Sequence, residues 1–270
     1  MAATITEAFI TQFEAEVHLA YQRMGSKLKN TVRVVNNVVG NTVRFQKVAK
    51  GSASTKARHA EVVAMDLTHS YVDATIADYY ASEYVDKLDL LKTNIDERNV
   101  VAQNAAYALG RKTDLLLTTE WATGTTITTS GGMTKAKAFA EWERMGNADV
   151  PDDGQRYWVV APKAWTELID LDEFSHADYV GTDQLPLPGG MVAKRWLGYL
   201  WFTHSGLTKN SSERDSVAWH SSSTGLGIGH DVSTEINYVP EKVAHLVTSS
   251  MSMGAKIIDQ DGVRIVECDE

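Results

Sequence analysis

Two histidines of this chain are each followed by a serine, and these are the residues that come closest to a nucleophile with its base. The pairs are His204–Ser205 and His220–Ser221. A catalytic serine needs an imidazole near it in space and a carboxylate that orients the ring, so adjacency in the sequence is weak support. The chain also lacks the G-x-S-x-G motif that places the nucleophile in many hydrolases. We therefore do not predict a serine hydrolase.

Other catalytic and ligand-binding motifs are equally poorly supported. Cys268 is the only cysteine, so one chain cannot build a thiolate zinc site, and no H-E-x-x-H motif occurs. The alternating glycines of 225–229 lack the Lys-Ser/Thr pair of a P-loop and the dinucleotide spacing. They favour a tight connection between strands, where backbones approach closely. The acidic stretch 149–154 lacks the oxygen spacing of a calcium loop. We expect a protein that is not an enzyme, with no catalytic residue, no metal and no cofactor.

A basic cluster is the remaining candidate for a contact site. It consists of Lys47, Lys50, Lys56 and Arg58, in a segment of small and polar residues without hydrophobic periodicity. Such a segment can bind phosphate or an acidic partner, or it can simply be solvated, and the sequence leaves both open. The net charge of the whole chain is −9, which argues against general affinity for nucleic acid.

The composition is that of a folded protein without membrane or secretion signals. Of the 270 residues, 43% are hydrophobic and 23% are charged. No apolar run approaches the roughly 18 residues that a membrane span needs. Residues 1–7 lack the basic start and the apolar run of a signal peptide. We expect no membrane partner, and a single cysteine excludes an intrachain disulfide.

The longest secondary-structure element that the sequence predicts is a helix over 94–121. Asn94 and Glu97 fit a capping box, and Gly124 is suited to end the helix. Apolar residues recur along one side at Val101, Ala105, Ala108, Leu109 and Leu116. At 1.5 Å per residue the helix is roughly 40 Å long, so we expect a strut on which other elements pack.

A shorter amphipathic helix is predicted over residues 4–24, with Phe9 and Phe13 on its apolar stripe. Two interpretations remain open for it. Either the helix packs on the core of its own chain, or it is a terminal arm that packs on a neighbouring subunit.

Between these helices, the sequence favours extended structure over residues 32–80. Val32–Val39 and Thr42–Val48 read as strands around a turn at Gly40–Asn41, and the chain returns as an extended segment from Met65. We predict a two-stranded arm whose polar tip, 49–59, is a mobile loop. Because a two-stranded hairpin is barely stable alone in water, the arm needs a surface to lie on, and a neighbouring chain can supply one.

The rest of the chain mixes helices and strands, which predicts an α+β fold. Short helices are expected at 80–91 and 135–145, and another from Pro162. Extended segments are predicted at 157–160, 196–202, 217–220, 231–238 and 242–253, with a final hairpin that pairs 255–258 with 263–268. The acidic stretch 149–154 is the best candidate for an internal boundary.

Four stretches carry a resemblance to a known family. They are Asp78–Asp86, Val159–Trp165, Trp196–Gly198, and Gly254–Ile258 with Gly262–Val263. With the order of elements, they make nearly the whole chain similar to the major capsid protein of tailed bacteriophages. The resemblance implies an α+β, HK97-like capsid fold. The implied divisions are an N-terminal arm (1–30), an extended loop (31–80), a peripheral domain with the spine helix (81–154 and 231–250) and an axial domain (155–230 and 251–270).

The resemblance also implies a function, in which many copies self-assemble into an icosahedral head that encloses double-stranded DNA. The copies meet as pentamers and hexamers, and the DNA is packaged without sequence-specific binding. Further implied partners are a separate scaffolding protein, a portal and, as in some members, a decoration protein. The implied location is the virion, after assembly in the host cytoplasm. Contacts between subunits are implied for Lys47, Lys50, Lys56 and Arg58 in the extended loop and for Phe9 and Phe13 in the N-terminal arm.

Two alternatives stay open at this point. A tail-tube or connector subunit is also a phage structural protein, but such proteins lack a spine helix as long as 94–121. The other alternative is an intracellular hydrolase or transferase with a dispersed site, and the absence of a paired catalytic motif counts against it.

Overall fold

The computed structural model of the protein describes residues 23–88, 96–127, 131–175 and 193–270. Its helices are α1 (Glu97–Trp121), α2 (Lys135–Asn147), α3 (Pro162–Ile169) and α4 (Asp172–Ser175). Its strands are β1 (Arg33–Val35), β2 (Thr42–Val48), β3 (His69–Thr75), β4 (Ala77–Asp86), β5 (Thr125–Ile127), β6 (Arg156–Val160), β7 (Ala193–Trp196), β8 (Tyr199–Thr203), β9 (Lys209–Asn210), β10 (Glu213–His220), β11 (Thr224–Val239), β12 (Ala244–Ile257) and β13 (Val263–Asp269). Phe9 and Phe13, and with them the predicted helix up to residue 22, lie outside the described residues.

The chain divides into two compact units. Among the described residues, the first unit contains 79–111 and 232–251, and the second contains 26–78, 112–231 and 252–270. In the first unit, Val85 of β4, Val101 of α1 and Val247 of β12 form a small buried cluster. The second unit holds most of the described chain and the larger part of its buried core.

The predicted helix at 80–91 is wrong for its described part, because 77–86 is the strand β4. Tyr80 and Tyr84, whose spacing suggested a helix, are 68% and 46% exposed, so they do not form an inward stripe. The side chains that turn inward follow the two-residue period of a strand instead, at Tyr79, Ala81 and Val85. Tyrosine and valine are also favoured in strands.

The long helix is confirmed over its described part, as α1. It ends at Trp121 as predicted, and the amide of Gly124 donates to the Trp121 carbonyl over 2.8 Å. Its buried side runs at four-residue intervals through Val101, Ala105, Leu109, Thr113, Leu117 and Trp121. Asn94 of the proposed capping box lies outside the described residues.

The core of the second unit is a seven-stranded sheet in the order β5-β13-β10-β6-β8-β7, with β9 paired to β10. Strand β10 lies at its centre, antiparallel to both β13 and β6. Tryptophans fill the space around it. Trp158 and Trp201 stack at 4.1 Å between ring centroids, and Trp121 lies 4.2 Å from Trp219. All four are fully buried, so large rings dominate the apolar area of this core.

The predicted extended segment 196–202 is a tight hairpin of β7 and β8. Leu197 and Gly198 form its turn with φ angles of 51° and 79°. Positive φ at both central residues matches the right-handed twist of the two strands, which is why glycine suits the second position.

The predicted final hairpin is wrong. Strand β12 belongs to a four-stranded sheet in the order β1-β11-β12-β4, whereas β13 lies between β10 and β5 in the seven-stranded sheet. The connecting turn is fixed by other partners. Asp259 accepts from the Asp261 amide at 3.1 Å, and the amide of Ile258 donates to the Ser223 carbonyl at 2.7 Å. The chain therefore changes sheets at this turn.

Candidate functional site: the two-stranded arm

Strands β2 and β3 form a separate two-stranded sheet, which we call the arm (42–75). They pair antiparallel from Thr42↔Thr75 to Val48↔His69. The amide of Ala60 donates to the Ala57 carbonyl at 3.1 Å, and this turn closes the tip. We call 42–50 with 68–75 the root of the arm, and 51–67 its distal part. The two-stranded pairing was predicted, but β1 pairs with β11 and is not part of the arm.

The root is seated on β11 through two of the alternating glycines. A Cβ atom at Gly225 would lie 2.4 Å from the Phe45 ring, and one at Gly227 would lie 2.4 Å from Cγ1 of Val43. Any side chain at these positions would displace the root. A close approach is therefore present, and its partner is the arm. The predicted strand connection is wrong, because the glycines lie within the continuous strand β11.

A small apolar cluster packs at this contact between the root and β11, which we call the seat. Val43, Phe45 and Ala74 of the root are buried together with Ile258, and Phe45 is only 1% exposed. Alternate residues of a strand point to the same face. Lys47 therefore shares the face of Val43 and Phe45 and points, as they do, towards the rest of the chain, which we call the body. The ammonium of Lys47 lies 2.8 Å from a carboxylate oxygen of Asp259.

Lys50 also binds its own chain. Its ammonium donates to the Ala148 carbonyl and to the Asp149 carboxylate, at 2.9 Å each. Two of the four cations predicted as contacts between subunits thus make ion pairs within the chain. Lys56 and Arg58 are exposed near the tip, and within the described part of the chain neither makes an ion pair.

The outward face of the root carries an ion pair between its two strands. Arg44 donates twice to the Asp73 carboxylate, at 2.8 Å each, and its guanidinium lies 3.8 Å from the centre of the Tyr71 ring. The hydrogen bonds from Arg44 hold the pKa of Asp73 below its ordinary value. These contacts join the two strands of the arm to each other.

The distal part is exposed along both of its legs. It presents apolar side chains to solvent, with Val62 75%, Val63 67% and Met65 53% exposed. Apolar residues grouped on a surface are typical of a contact region, whereas single ones are common everywhere. The cations Lys56 and Arg58 lie in the same segment. The distal arm therefore combines apolar surface with two cations, whose charge is balanced by Glu61 and Asp66 of the same segment.

Both histidines of the two histidine–serine pairs are bonded to residues other than the serine that follows them in the sequence. Nε2 of His204 lies 3.0 Å from the Asp114 carboxylate, while its Nδ1 accepts from the Gly206 amide, so Ser205 is not its partner. His220 lies 2.7 Å from the Ser222 hydroxyl and 3.0 Å from Asp153, and its Nδ1 caps the short turn that follows. Both rings act as local structural anchors.

Asp114 is a structural residue that sequence reasoning missed. It is fully buried in α1 and accepts from the Ser26 hydroxyl, from the Lys27 and Leu28 amides and from His204. Burial alone would raise the pKa of this carboxyl, but these hydrogen bonds outweigh it and hold the pKa below its ordinary value. A lone aspartate on the buried side of a helix was the available signal. It anchors the chain at 26–28, just before β1.

Two further features of the described residues are the placement of their metal-ligating side chains and the apolar character of their helices. Among them, no group of three or more His, Cys, Asp or Glu side chains is arranged to hold a metal ion. None of the helices in these ranges combines the length and the apolar character needed to cross a membrane.

Comparison with known families decides the identity. The family model described as "Phage capsid protein" matches residues 5–270. The chain belongs to the phage capsid protein family. It is accordingly a structural protein of a phage head, as the sequence predicted, and the family assignment favours this function over a tail-tube or connector subunit.

Solved capsid structures share the fold of this capsid protein. The capsid of the cyanophage P-SCSP1u is 15% identical, with a TM-score of 0.79 over 100% of this chain and 96% of that one. The Mycobacterium phage Che8 structure is 19% identical, with a TM-score of 0.74 over 96% and 97%. The capsid of Ralstonia phage GP4 is 12% identical, with a TM-score of 0.72 over 100% and 98%. These likenesses confirm the predicted α+β capsid fold. No curated protein sequence matches the chain.

Proposed function

We propose that this capsid protein is the shell-forming subunit of a tailed phage. Its copies close as pentamers and hexamers into an icosahedral head around double-stranded DNA. The observation that carries the proposal is the distal arm, which exposes Val62, Val63 and Met65 in the segment that connects β2 and β3. A two-stranded ribbon is barely stable by itself, so a second surface that covers it stabilises both.

A neighbouring copy is the surface that fits the arm best. The arm contains five of the 26 Lys and Arg residues and three of the 35 Asp and Glu residues, a net charge of +2, which leaves −11 on the rest of the chain. That excess lies in the root, because Lys56 and Arg58 of the distal part are balanced by Glu61 and Asp66. Attraction to the negative body of another copy therefore acts locally, at these two cations, and the exposed apolar residues supply the contact area. Lys56 and Arg58 are the cations placed to make that contact.

The remaining assignments follow from family membership as parts of the same proposal. Residues 31–80 would be the extended loop and 1–30 the N-terminal arm, with Phe9 and Phe13 against a neighbour. The peripheral domain would comprise 81–154 and 231–250, and the axial domain 155–230 and 251–270. The other partners would be a scaffolding protein, a portal, a decoration protein and the packaged DNA. The net charge of −9 supports a shell that encloses DNA without binding it tightly.

A substitution on the distal arm tests the proposal. Val62→Asp with Val63→Asp should leave the subunit folded, since both side chains are already exposed, but should prevent closed shells because two carboxylates would have to be buried at the contact. Circular dichroism reports the fold, and sedimentation with negative-stain microscopy reports assembly.

Val39→Asp is the matched control, because Val39 is a valine that is 96% exposed and lies outside the arm. It should assemble as the unaltered protein does. Normal shells from the distal variant, or equal loss of shells in the control, would contradict the proposed role of the arm.

A further inference from the structure

Four of the five Lys and Arg residues of the arm fall into two pairs with different surroundings, while the fifth, Arg44, is bonded to Asp73 on the outward face. Lys47 and Lys50 bind their own chain, whereas Lys56 and Arg58 lie beyond the last contact with the body. We propose that Lys47 and Lys50 are positioning residues that set the direction in which the arm leaves its own subunit, so that only the distal cations are left for the second copy. This inference rests on the proposed function, and it divides a cluster that the sequence presents as one.

The apolar seat alone does not fix the direction of the arm. Val43, Phe45 and Ala74 hold the ribbon close to where it leaves the body. Lys47 is the first residue beyond Phe45 on the same face of β2, and it reaches Asp259. Asp259 is itself held in place, because its carboxylate also accepts from the Asp261 amide. Lys47 therefore has a fixed acceptor.

Lys50 meets the carboxyl end of helix α2. Its acceptors are the carbonyl of Ala148, the residue that follows the helix, and the carboxylate of Asp149. The last carbonyls of a helix carry partial negative charge and lack partners within the helix, so an ammonium is favoured there. Asp149 adds a full charge beside them, and its φ of 57° places it in the left-handed turn that ends the helix.

Two contacts three residues apart constrain the arm more than one contact can. Lys47 and Lys50 are separated by roughly 10 Å along an extended chain, and their acceptors lie on two different turns of the body. A single ion pair would let the ribbon swing about its seat. Two pairs, one on each turn, restrict that swing. From residue 51 to residue 67 every position is exposed, so the positioning ends at Lys50.

The pairs are weak enough to be reversible. The Lys47 and Asp259 side chains are 38% and 39% exposed, and those of Lys50 and Asp149 are 73% and 78% exposed. Exposed ion pairs of this kind shift an equilibrium by about two- to fivefold each and are screened by salt. The two lysines therefore bias the direction of the arm without locking it.

Distance measurements between spin labels test this directly. Labels at Ser54→Cys in the distal arm and Ser212→Cys in the body report the direction of the arm, since both positions are exposed. The native Cys268 is 1% exposed, so the introduced thiols react selectively. In Lys47→Glu with Lys50→Glu, we expect the population of other arm directions to rise about two- to tenfold, because both pairs become repulsive.

Two further measurements guard against a fold defect. Exchanging the charges, with Asp259→Lys and Asp149→Lys added, should restore the narrow distance distribution. In the otherwise unaltered protein, 1 M NaCl should broaden the distribution as the double variant does. A distribution that stays narrow in the double variant and in salt would overturn the inference.

A matched control separates this inference from the proposed function. Lys56→Glu with Arg58→Glu makes the same charge change in the distal part. It should leave the distance distribution unchanged and reduce shell formation. If the root variant broadens the distribution but the distal variant assembles normally, the positioning role stands and the proposed contact with the second copy fails.

Discussion

The root and the distal part of the arm are one continuous segment of chain, yet they differ in what covers them. The root lies on the glycines of β11 and buries Phe45 and Val43, while the distal part leaves Val62 and Val63 in solvent. Composition explains part of the difference, because 51–61 is small and polar, but Val62 and Val63 are strand-forming residues and are exposed as well. The two parts differ because the root packs on other residues of its own chain, whereas the distal part is exposed to solvent. The root is thus packed on its own chain, whereas the distal part is exposed apolar surface, which we propose another copy covers.

Phe45→Ala should produce the largest effect, because it removes the largest buried side chain of the root. We expect the free energy of unfolding of the unassembled subunit to fall by about 3–5 kcal/mol. Urea denaturation measures it. Tyr71→Ala, on the outward face of the root and 59% exposed, is the control and should cost far less. Equal losses would mean that the root is not seated as described.

The body and the arm should also respond differently to pH. Glu141 of α2 is 1% exposed, and burial raises its pKa to about 7, an effect that Arg264 and Arg144, at 3.7 and 3.6 Å, only partly offset. A raised pKa means that the folded protein binds a proton more tightly than the unfolded chain. The stabilising contribution is therefore complete below the ordinary pKa of 4.5 and is lost as the pH rises through about 7.

The measurable consequence is a stability that depends on Glu141 between pH 5 and pH 8. Comparing Glu141→Gln with the unaltered protein by urea denaturation at both pH values isolates this group. The unaltered protein should lose roughly 3 kcal/mol more than the variant does over that range. An identical loss in both proteins would show that Glu141 does not titrate there. Asp73 of the arm, whose pKa is lowered, should not contribute in that window.

Gly225→Ala should have a smaller effect at the same seat. The added methyl would lie 2.4 Å from the Phe45 ring, so the ring or the strand must shift. We expect a loss of about 1–3 kcal/mol in the free energy of unfolding. Gly146→Ala is the control, because no atom lies within 4 Å of its added Cβ and alanine is the better helix former. That control should stabilise the protein slightly, and destabilisation by both variants would point to a cause other than the seat.

Val63→Ala should have the smallest effect on the isolated subunit. The side chain is 67% exposed, so the free energy of unfolding should change by no more than about 0.5 kcal/mol. Thermal melting of the unassembled subunit checks this. A loss of several kcal/mol would show that the distal arm is buried within its own chain, and the contrast with the root would disappear.

The sequence by itself determined the elements whose signals are local. The helical spacing of α1 and its end before Gly124, the two-stranded pairing of the arm and the close approach at the glycines between 225 and 229 were all predicted correctly. In each case the deciding property belongs to a short stretch of chain: a periodic apolar side, a strand-forming segment, or a residue without a side chain. The family resemblance likewise rested on such stretches and on their order.

Only the tertiary structure decided which elements meet. Residues 77–86 form a strand because partners inside the fold take up its two-residue period, although Tyr80 and Tyr84 also fit a helix. Strand β13 joins β10 and β5 rather than β12, since the Asp259 turn has partners that a sequence pattern cannot reveal.

Tertiary structure also decides which cations of the basic cluster (Lys47, Lys50, Lys56 and Arg58) have a partner within the chain. Lys47 and Lys50 have acceptors about 100 or more positions away in the sequence, and Lys56 and Arg58 have none among the described residues. The sequence shows which residues are charged and how far apart they lie along the chain. Which charge finds a partner depends on distances that exist only after the chain has folded.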